Sequence, residues 1–114
     1  MDLFNQVQEL TAKLSTAINQ MAKYGNDLAE AESDYKITLR QEALKLRAEK
    51  NMPVTLINQI VYGIEDVAKK RLKRDIASTM YDTTREYINT LKLRIRVLES
   101  QLQREYSQTG KGGF

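Results

Sequence analysis

A repeat of apolar residues, spaced alternately by four and three positions, governs the first third of the chain. It begins at Leu3 and Val7 and keeps its phase to Tyr35. Steps of four and three average 3.5 residues, which is the a/d spacing of a coiled coil and not the period of two of a strand. The repeat predicts one helix over residues 2–50, with Asp2 as its N-cap. Its members are Leu3, Val7, Leu10, Leu14, Ala17, Met21, Tyr24, Leu28, Ala31 and Tyr35.

Gly25 is the feature of this segment that argues against an unbroken helix. A glycine costs about 1 kcal/mol relative to alanine inside a helix, and Asn26 could cap a new helix after it. Because the apolar phase is the same on both sides of Gly25, the sequence favours a continuous helix, and a break at this point is the alternative. Beyond Tyr35 the repeat shifts by one extra residue, which relaxes a left-handed supercoil locally. It then continues as Leu39, Ala43 and Leu46.

The segment NMPVTLINQIVYG, residues 51–63, interrupts the repeat. Pro53 ends the first helix, and Thr55 can cap a short turn of helix. Gly63 suits the left-handed position that follows a helix end. The segment therefore predicts a helical corner, after which a second long helix spans residues 64–107.

The second helix carries a less regular apolar stripe. Glu65 and Asp66 stand in its first turn, where the helix dipole favours acids. The stripe advances mostly in steps of four before it settles into a heptad at Ile88. Its members are Val67, Ala68, Leu72, Ile76, Met80, Thr84, Ile88, Leu91, Ile95, Leu98, Leu102 and Tyr106. The glycines of SQTGKGGF predict a flexible tail over residues 108–114.

Two helices of similar length joined by a short corner are expected to fold back antiparallel. The fold class predicted for residues 1–107 is all-α, a long coiled-coil-like two-helix hairpin with a short helical corner. A turn near residues 56–58 would place Tyr35 beside Thr79 and Met80. Several apolar residues lie outside both stripes, so we expect a homo-oligomer, most simply a twofold dimer, to cover them. These residues are Phe4, Ile18, Ile37, Leu44, Leu93 and Val97.

The composition removes most catalytic chemistry, because the 114 residues include no histidine and no cysteine. Disulfides, thiolate nucleophiles, the usual zinc sites and the commonest general base are thereby excluded. Glu30 and Asp34 stand at helical spacing, but no matching acidic cluster on the second helix completes a di-metal site. The terminal GKGGF lacks the helix that follows a phosphate-binding loop. We therefore expect that the protein is not an enzyme and that it binds no metal and no cofactor.

The sequence also predicts a cytoplasmic protein that does not enter the membrane. No apolar stretch reaches the roughly 20 residues that a transmembrane helix needs. The N-terminal MDLFNQVQEL lacks the basic and then apolar order of a signal peptide.

The net charge of +3 conceals an uneven distribution. Residues 1–35 carry two basic and six acidic groups, a net of −4, whereas residues 36–74 carry ten basic and four acidic groups, a net of +6. In a hairpin the basic groups gather at the end that holds the corner, because Arg47 and Lys50 finish the first helix while EDVAKKRLKRD, residues 65–75, begins the second. The hairpin tip is therefore predicted to be positive.

The candidate binding residues lie at this tip. The basic run is expected to form one helical face, with Arg71 set apart. That face could hold phosphates by charge without reading bases, or it could be only the solvated side of a helix. The aromatic and aliphatic residues of the corner could contact a protein, and the alternative is a small cap that seals the hairpin end. The candidates are Lys69, Lys70, Lys73, Arg74, Lys50, Arg47, Tyr62 and Ile57.

The corner MPVTLINQIVYG, the basic start of the second helix and the ending REYINTLKLRIRVLESQLQREY are similar to segments of small helical proteins that temperate phages and prophages of Gram-positive bacteria encode. The resemblance covers residues 52–106. It implies an accessory protein of the host-cell cytoplasm that binds a host or phage protein as an inhibitor or adaptor, for example an antagonist of a host defence nuclease. The alternative is a nucleic-acid-binding protein of phage replication or recombination that uses the basic tip. A structural or assembly factor of the virion is a third class.

Overall fold

The computed structural model describes residues 2–112, with side chains described for residues 2–108. This part of the chain contains no strand, which confirms the all-α prediction. Helices α1 and α3 pack against each other as the two arms of a helical hairpin, and α2 with a 3₁₀ turn forms the corner. The elements are α1 (Leu3–Lys50), α2 (Val54–Ile60), the 3₁₀ turn (Val61–Gly63) and α3 (Glu65–Gly112).

Helix α1 begins at a side-chain cap and runs without a break. The backbone N–H of Asn5 donates to Oδ1 of Asp2 at 2.8 Å, which satisfies one of the first-turn donors that have no partner within the helix. Asp2 is therefore the N-cap that the sequence predicted. The helix continues through Gly25, so the predicted continuous helix is confirmed and the alternative of a break is wrong.

The chain leaves α1 through Asn51, whose φ of 49° lies in the left-handed region. Asparagine visits this region more readily than most residues and can stand where glycine usually ends a helix. The Met52 N–H reaches back to the Leu46 carbonyl at 3.4 Å. Pro53, with φ −63°, then directs the chain into α2. The reversal of the chain therefore starts before Pro53.

Two predictions for the corner are wrong. Thr55 is not a cap, because α2 starts one residue before it and has no side-chain cap. Gly63 was expected in the left-handed region, but no glycine among the described residues has a positive φ. The chain instead enters α3 through Ile64, which is extended at φ −67° and ψ 132°. Among residues 2–112 the left-handed conformation occurs only at Asn51, where the helix end and the reversal coincide.

The chain divides into two compact units. The first unit combines residues 2–22 of α1 with residues 82–112 of α3. Its core is aliphatic, and Ile88 and Leu91 are only 4% and 1% exposed. The strict heptads that the sequence showed in these segments therefore do form the interface. The core consists of Leu10, Ala17, Ile88 and Leu91, with Leu14, Met21, Ile95 and Leu98 packed around it.

The second unit spans residues 23–81 and contains the corner. Its core joins Tyr35 of α1 and Val67 of α3 to two residues of the corner, Ile57 and Val61. Leu39, Ala43, Leu46, Met52 and Ile64 pack against this core. The shift of the α1 repeat by one residue after Tyr35 is thereby confirmed, because the shifted positions are the ones that face the core.

The pairing of α1 with α3 in the second unit differs from the prediction. Tyr35 lies beside Arg74, whose guanidinium carbon is 4.6 Å from the ring centre, and not beside Thr79 and Met80. The offset exceeds one helical turn. It arises because α2 and the 3₁₀ turn pack back onto the core instead of merely linking the two arms.

The face that α3 turns toward α1 in the second unit is also not the predicted stripe. Leu72, Ile76 and Met80 are 60%, 56% and 43% exposed, and Ala68 is exposed as well. The inward positions instead follow a strict heptad that includes polar and small residues. These buried or half-buried positions are Val67, Lys70, Arg74, Ala77 and Tyr81. The predicted stripe followed the large apolar residues of this segment and was wrong, because the interface follows a constant heptad phase.

Helix α3 extends beyond its predicted end at residue 107 and continues to Gly112. Residues 108–112 of the predicted tail are therefore helical, while residues 113 and 114 lie outside the described residues. Glu65 and Asp66 stand in the first turn of α3, as predicted. Near the other end Tyr106, a predicted member of the stripe, is 80% exposed.

Candidate functional site

The corner has two faces that differ in exposure. Ile57 and Val61 are 5% and 3% exposed and close the core of the second unit. Val54 is 59% exposed, Leu56 42% and Ile60 39%. Leu56 and Ile60 are four residues apart and so share one side of α2. A short segment that holds apolar side chains both in the core and in solvent presents the exposed ones on a fixed support.

Tyr62 is an exposed aromatic residue of the corner. It is 45% exposed, and the guanidinium carbon of Arg71 lies 5.7 Å from its ring centre, within cation–π range. Tyr62 also borders a groove of about 420 Å³ that Lys36 and Arg40 of α1 line from the other side. We call the exposed residues Val54, Leu56, Ile60 and Tyr62 the corner surface.

The two predicted contact residues of the corner therefore have different roles. Tyr62 is accessible, as a contact residue must be. Ile57 is only 5% exposed and packs in the core, so its burial disfavours a direct contact, and its binding stays a prediction. The corner thus acts as a cap through Ile57 and Val61 and offers a separate surface through its other residues.

The basic residues of α3 that were expected to share one helical face differ in their burial. Lys69 and Lys73 are exposed, whereas Lys70 and Arg74 are half-buried because they occupy heptad positions directed at α1. Lys69 forms an i, i+4 ion pair with Glu65 at 2.8 Å. The cations of the run therefore divide between the interface and the solvent.

Arg74 contacts Tyr35 and Asp75 of its own chain. Its guanidinium lies over the ring of Tyr35 at 4.6 Å, and its Nε and Nη2 donate to Oδ1 of Asp75 at 3.1 and 2.8 Å. The hydrogen bond to Asp75 is the main cause that raises the pKa of the Arg74 guanidinium above its ordinary value. Arg74 is therefore a packing residue whose positive charge is paired with Asp75, and it is a poor candidate for binding a partner.

The remaining predicted cations differ in their availability. Arg47 donates from Nη1 to the carbonyl of Met52 at 3.1 Å and so supports the reversal after α1. Lys50 is exposed in the last turn of α1, where the helix dipole favours a cation. Within residues 2–108 no ion pair involves Lys50 or Lys73. Of the predicted set, these two can meet a partner without breaking a contact.

A second surface, which the sequence analysis missed, lies between α1 and α3 within the second unit. It is a groove of about 320 Å³ that both apolar and charged side chains line. We call it the acidic groove. Its wall on α1 holds Tyr24, Asp27, Glu30, Ala31 and Asp34, and the opposite wall on α3 holds Lys73, Ile76, Ala77 and Met80.

A signal for this groove was present in the sequence. Asp27, Glu30 and Asp34 are spaced i, i+3, i+7, which places three carboxylates on one side of α1. Extending the α3 heptad back from Ile88 would have left Ile76 outside the interface and beside those acids. The heptad phase of α3, and not the size of its residues, predicts which side chains face α1.

Neither a metal cluster nor a membrane helix is found in the part of the chain that the structure describes. No three of its acidic side chains are grouped to hold a metal ion. No helix within residues 2–112 is both long and apolar enough to cross a membrane.

No family model, curated protein or solved structure matches this chain. The features of the molecule that bear on its function are therefore the corner surface, the basic residues near it and the acidic groove.

Proposed function

We propose that this protein is a non-enzymatic helical hairpin that acts by binding another protein through its corner surface, and that it associates with a second copy of itself. The two-faced corner carries this proposal. Leu56, Ile60 and Tyr62 are 39% to 45% exposed, while Ile57 and Val61 anchor the same segment in the core. Apolar and aromatic side chains on an ordered support lose little conformational entropy on binding, which is the property of interface anchors.

The contacts of the basic residues favour a protein over a nucleic acid as the partner. Lys69 and Arg74 are paired with acids of their own helix, and Arg71 lies over the ring of Tyr62. That ring is therefore already covered by a cation on one side, which makes it a poor platform for stacking a base. Lys36 and Arg40 beside Tyr62 instead favour a partner that combines an apolar anchor with acidic side chains.

The resemblance of residues 52–106 to phage and prophage proteins favours a host or phage protein as that partner. In this setting the hairpin would act in the host cytoplasm as an inhibitor or adaptor, and an antagonist of a host defence nuclease is one example. The corner surface would occupy a site on the target without any reaction.

A capture experiment tests the proposal. The immobilised full-length chain is exposed to a lysate of a Gram-positive host, and the retained proteins are compared with those retained by a Leu56→Ser/Tyr62→Ser variant. Leu93→Ser is the matched control, since Leu93 is 58% exposed but lies on α3 in the first unit. We expect the corner variant to lose a partner that the wild type and the control both retain, with helicity by circular dichroism unchanged.

Retention of the same partners by all three chains would contradict the corner as the binding surface. The nucleic-acid alternative is tested by fluorescence anisotropy with single- and double-stranded DNA at two salt concentrations. Binding that falls steeply with salt, and that a Lys50→Gln/Lys73→Gln variant loses, would favour that alternative over the proposal.

A further inference from the structure

The acidic groove is bordered by an exposed apolar ridge on α3. Leu72, Ile76 and Met80 follow one another at intervals of four residues and are 60%, 56% and 43% exposed. Residues four apart form one of the ridges by which helices interdigitate, and two such ridges pack at a crossing angle of about −50°. Three large apolar side chains in a row on a helix surface are therefore suited to receive another helix.

The charges around this ridge form no ion pairs with side chains of residues 2–108. Among the described side chains, Asp27, Glu30 and Asp34 take part in no ion pair, and neither does Lys73 on the opposite wall. One wall of the groove thus presents three carboxylates to solvent. The complement of such a groove is a helix that carries an apolar ridge with a lysine beside it.

The chain itself contains such a helix. In α3, Lys73 directly follows Leu72 and lies on the groove side together with Ile76. Leu72 and Lys73 belong to residues 36–74, which have a net charge of +6, and the acidic wall belongs to residues 1–35, which have a net charge of −4. Both halves of a complementary contact are therefore present in one molecule, but on different walls of one groove.

We propose that the acidic groove of each chain receives the α3 ridge of a second copy, in a twofold dimer centred on Ile76. The ridge has the same spacing on both sides of its middle residue, so an antiparallel arrangement sets Leu72 of each copy against Met80 of the other. Such a contact is isologous, with the same surface used twice. This inference rests on the self-association in the proposed function and names its interface.

The register of the groove identifies the ion pair. Because Gly25 lies against Tyr81 within the chain, with 3.3 Å between a Cβ at Gly25 and the ring, Asp27 is level with the turn that holds Met80. In the dimer Lys73 of the second copy comes level with the same turn. Lys73 of each copy therefore faces Asp27 of the other, and the symmetry produces this pair twice.

Sedimentation equilibrium of the full chain tests the dimer. The wild type is expected at twice 13.1 kDa at micromolar concentrations, and Ile76→Ser is expected to weaken association at least about tenfold. Leu93→Ser is the control, because it removes an exposed leucine of the first unit. Leu93 is among the residues that the sequence predicted an oligomer to cover, but it lies outside the interface proposed here, so this substitution is expected to leave association unchanged. Circular dichroism is recorded for each variant to show that the helices persist.

A charge exchange between chains tests the specific interface. Asp27→Lys and Lys73→Glu are each expected to weaken self-association at least about tenfold, because each places like charges at both symmetric contacts. An equimolar mixture of the two variants is expected to recover the dimer mass. In the mixed dimer each lysine at position 27 or 73 meets an acid on the other copy, while the charges within each chain remain alike.

The outcomes separate this interface from the broader proposal. A wild type that remains at 13.1 kDa overturns both the interface and the proposed self-association. A dimer that survives Ile76→Ser and both charge variants overturns this interface alone. Single variants that dissociate but do not recover on mixing also overturn it, since their effect would then arise within one chain.

Discussion

The two units close the contact between α1 and α3 with different chemistry. In the first unit, aliphatic side chains such as Ile88 and Leu91 fill the interface, and any neighbour of suitable size satisfies them. In the second unit, the corresponding positions hold Arg74 over Tyr35 and Tyr81 against the backbone space at Gly25, where orientation matters. The first interface depends on volume and the second on geometry.

This difference decides which apolar residues reach the surface. Where Arg74 and Ala77 take the interface positions of α3, the larger Leu72 and Ile76 beside them are left 60% and 56% exposed. The long stem of an arginine can line an interface while its charged head finds a partner at the edge, as Arg74 does with Asp75. The exposed apolar ridge of the second unit therefore follows from the same arrangement that places Arg74 and Ala77 at the interface.

The largest effect is expected from the core of the first unit. Leu91→Ala removes a side chain that is 1% exposed and should lower the free energy of unfolding by about 3–5 kcal/mol, because a cavity is left among packed neighbours. Leu93→Ala, two residues away and 58% exposed, should change it by less than about 0.5 kcal/mol. Urea denaturation followed by circular dichroism measures both. Equal losses would show that this interface does not depend on aliphatic volume.

The corner of the second unit is expected to be the next most sensitive. Ile57→Ala removes a side chain that is 5% exposed and packs on the core, and we expect a loss of about 2–3 kcal/mol, at the lower end of such truncations because the short corner can collapse. Leu56→Ala, its exposed neighbour, should cost little stability. The same denaturation experiment compares them, and a larger loss for Leu56 would reverse the assignment of buried and exposed faces.

Loss of the contact between Arg74 and Tyr35 in the second unit is expected to lower stability by a smaller amount. Arg74→Ala removes the guanidinium from the ring of Tyr35 and its hydrogen bonds to Asp75, so we expect a lower midpoint of thermal unfolding. Lys73→Ala is the control, since it gives the same gain in helix propensity without an intrachain ion pair among the described residues. An unchanged midpoint for Arg74→Ala would mean that the stacked arginine does not stabilise the unit.

The sequence predicted the first unit well because its heptad positions are occupied by residues whose preference is unambiguous. Leu10, Ala17, Ile88 and Leu91 are apolar, in phase and buried. The bounds of α1 followed from the same repeat and from the cap at Asp2. Regular periodicity and a local hydrogen bond are both properties that a single segment contains.

In the second unit the same reasoning failed where a residue depends on its partner. That Arg74 packs on Tyr35 is decided by a side chain about forty positions away, and hydrophobicity alone assigned the interface to Leu72 and Ile76 instead. The acidic groove was not predicted because Ile76, which lines it, had been assigned to the interface. The corner was predicted as helical, but the burial of Ile57 and the left-handed Asn51 follow from how it packs back on α1.

The smallest expected effect concerns Gly25 and tests whether the ring of Tyr81 fixes that position. An added Cβ would lie 3.3 and 3.7 Å from two carbons of the ring. Alanine gains about 1 kcal/mol of helix propensity over glycine, and the crowded ring opposes this gain. We therefore expect Gly25→Ala to change the free energy of unfolding by less than about 0.5 kcal/mol.

In a Tyr81→Ala background, where the ring is gone, the same substitution should yield the full gain of about 1 kcal/mol. A double-mutant cycle measured by urea denaturation would then give a coupling of about 0.5–1 kcal/mol between the two positions. If Gly25→Ala had the same effect in both backgrounds, the ring of Tyr81 would not constrain position 25, and the glycine would not be there to accommodate the tyrosine.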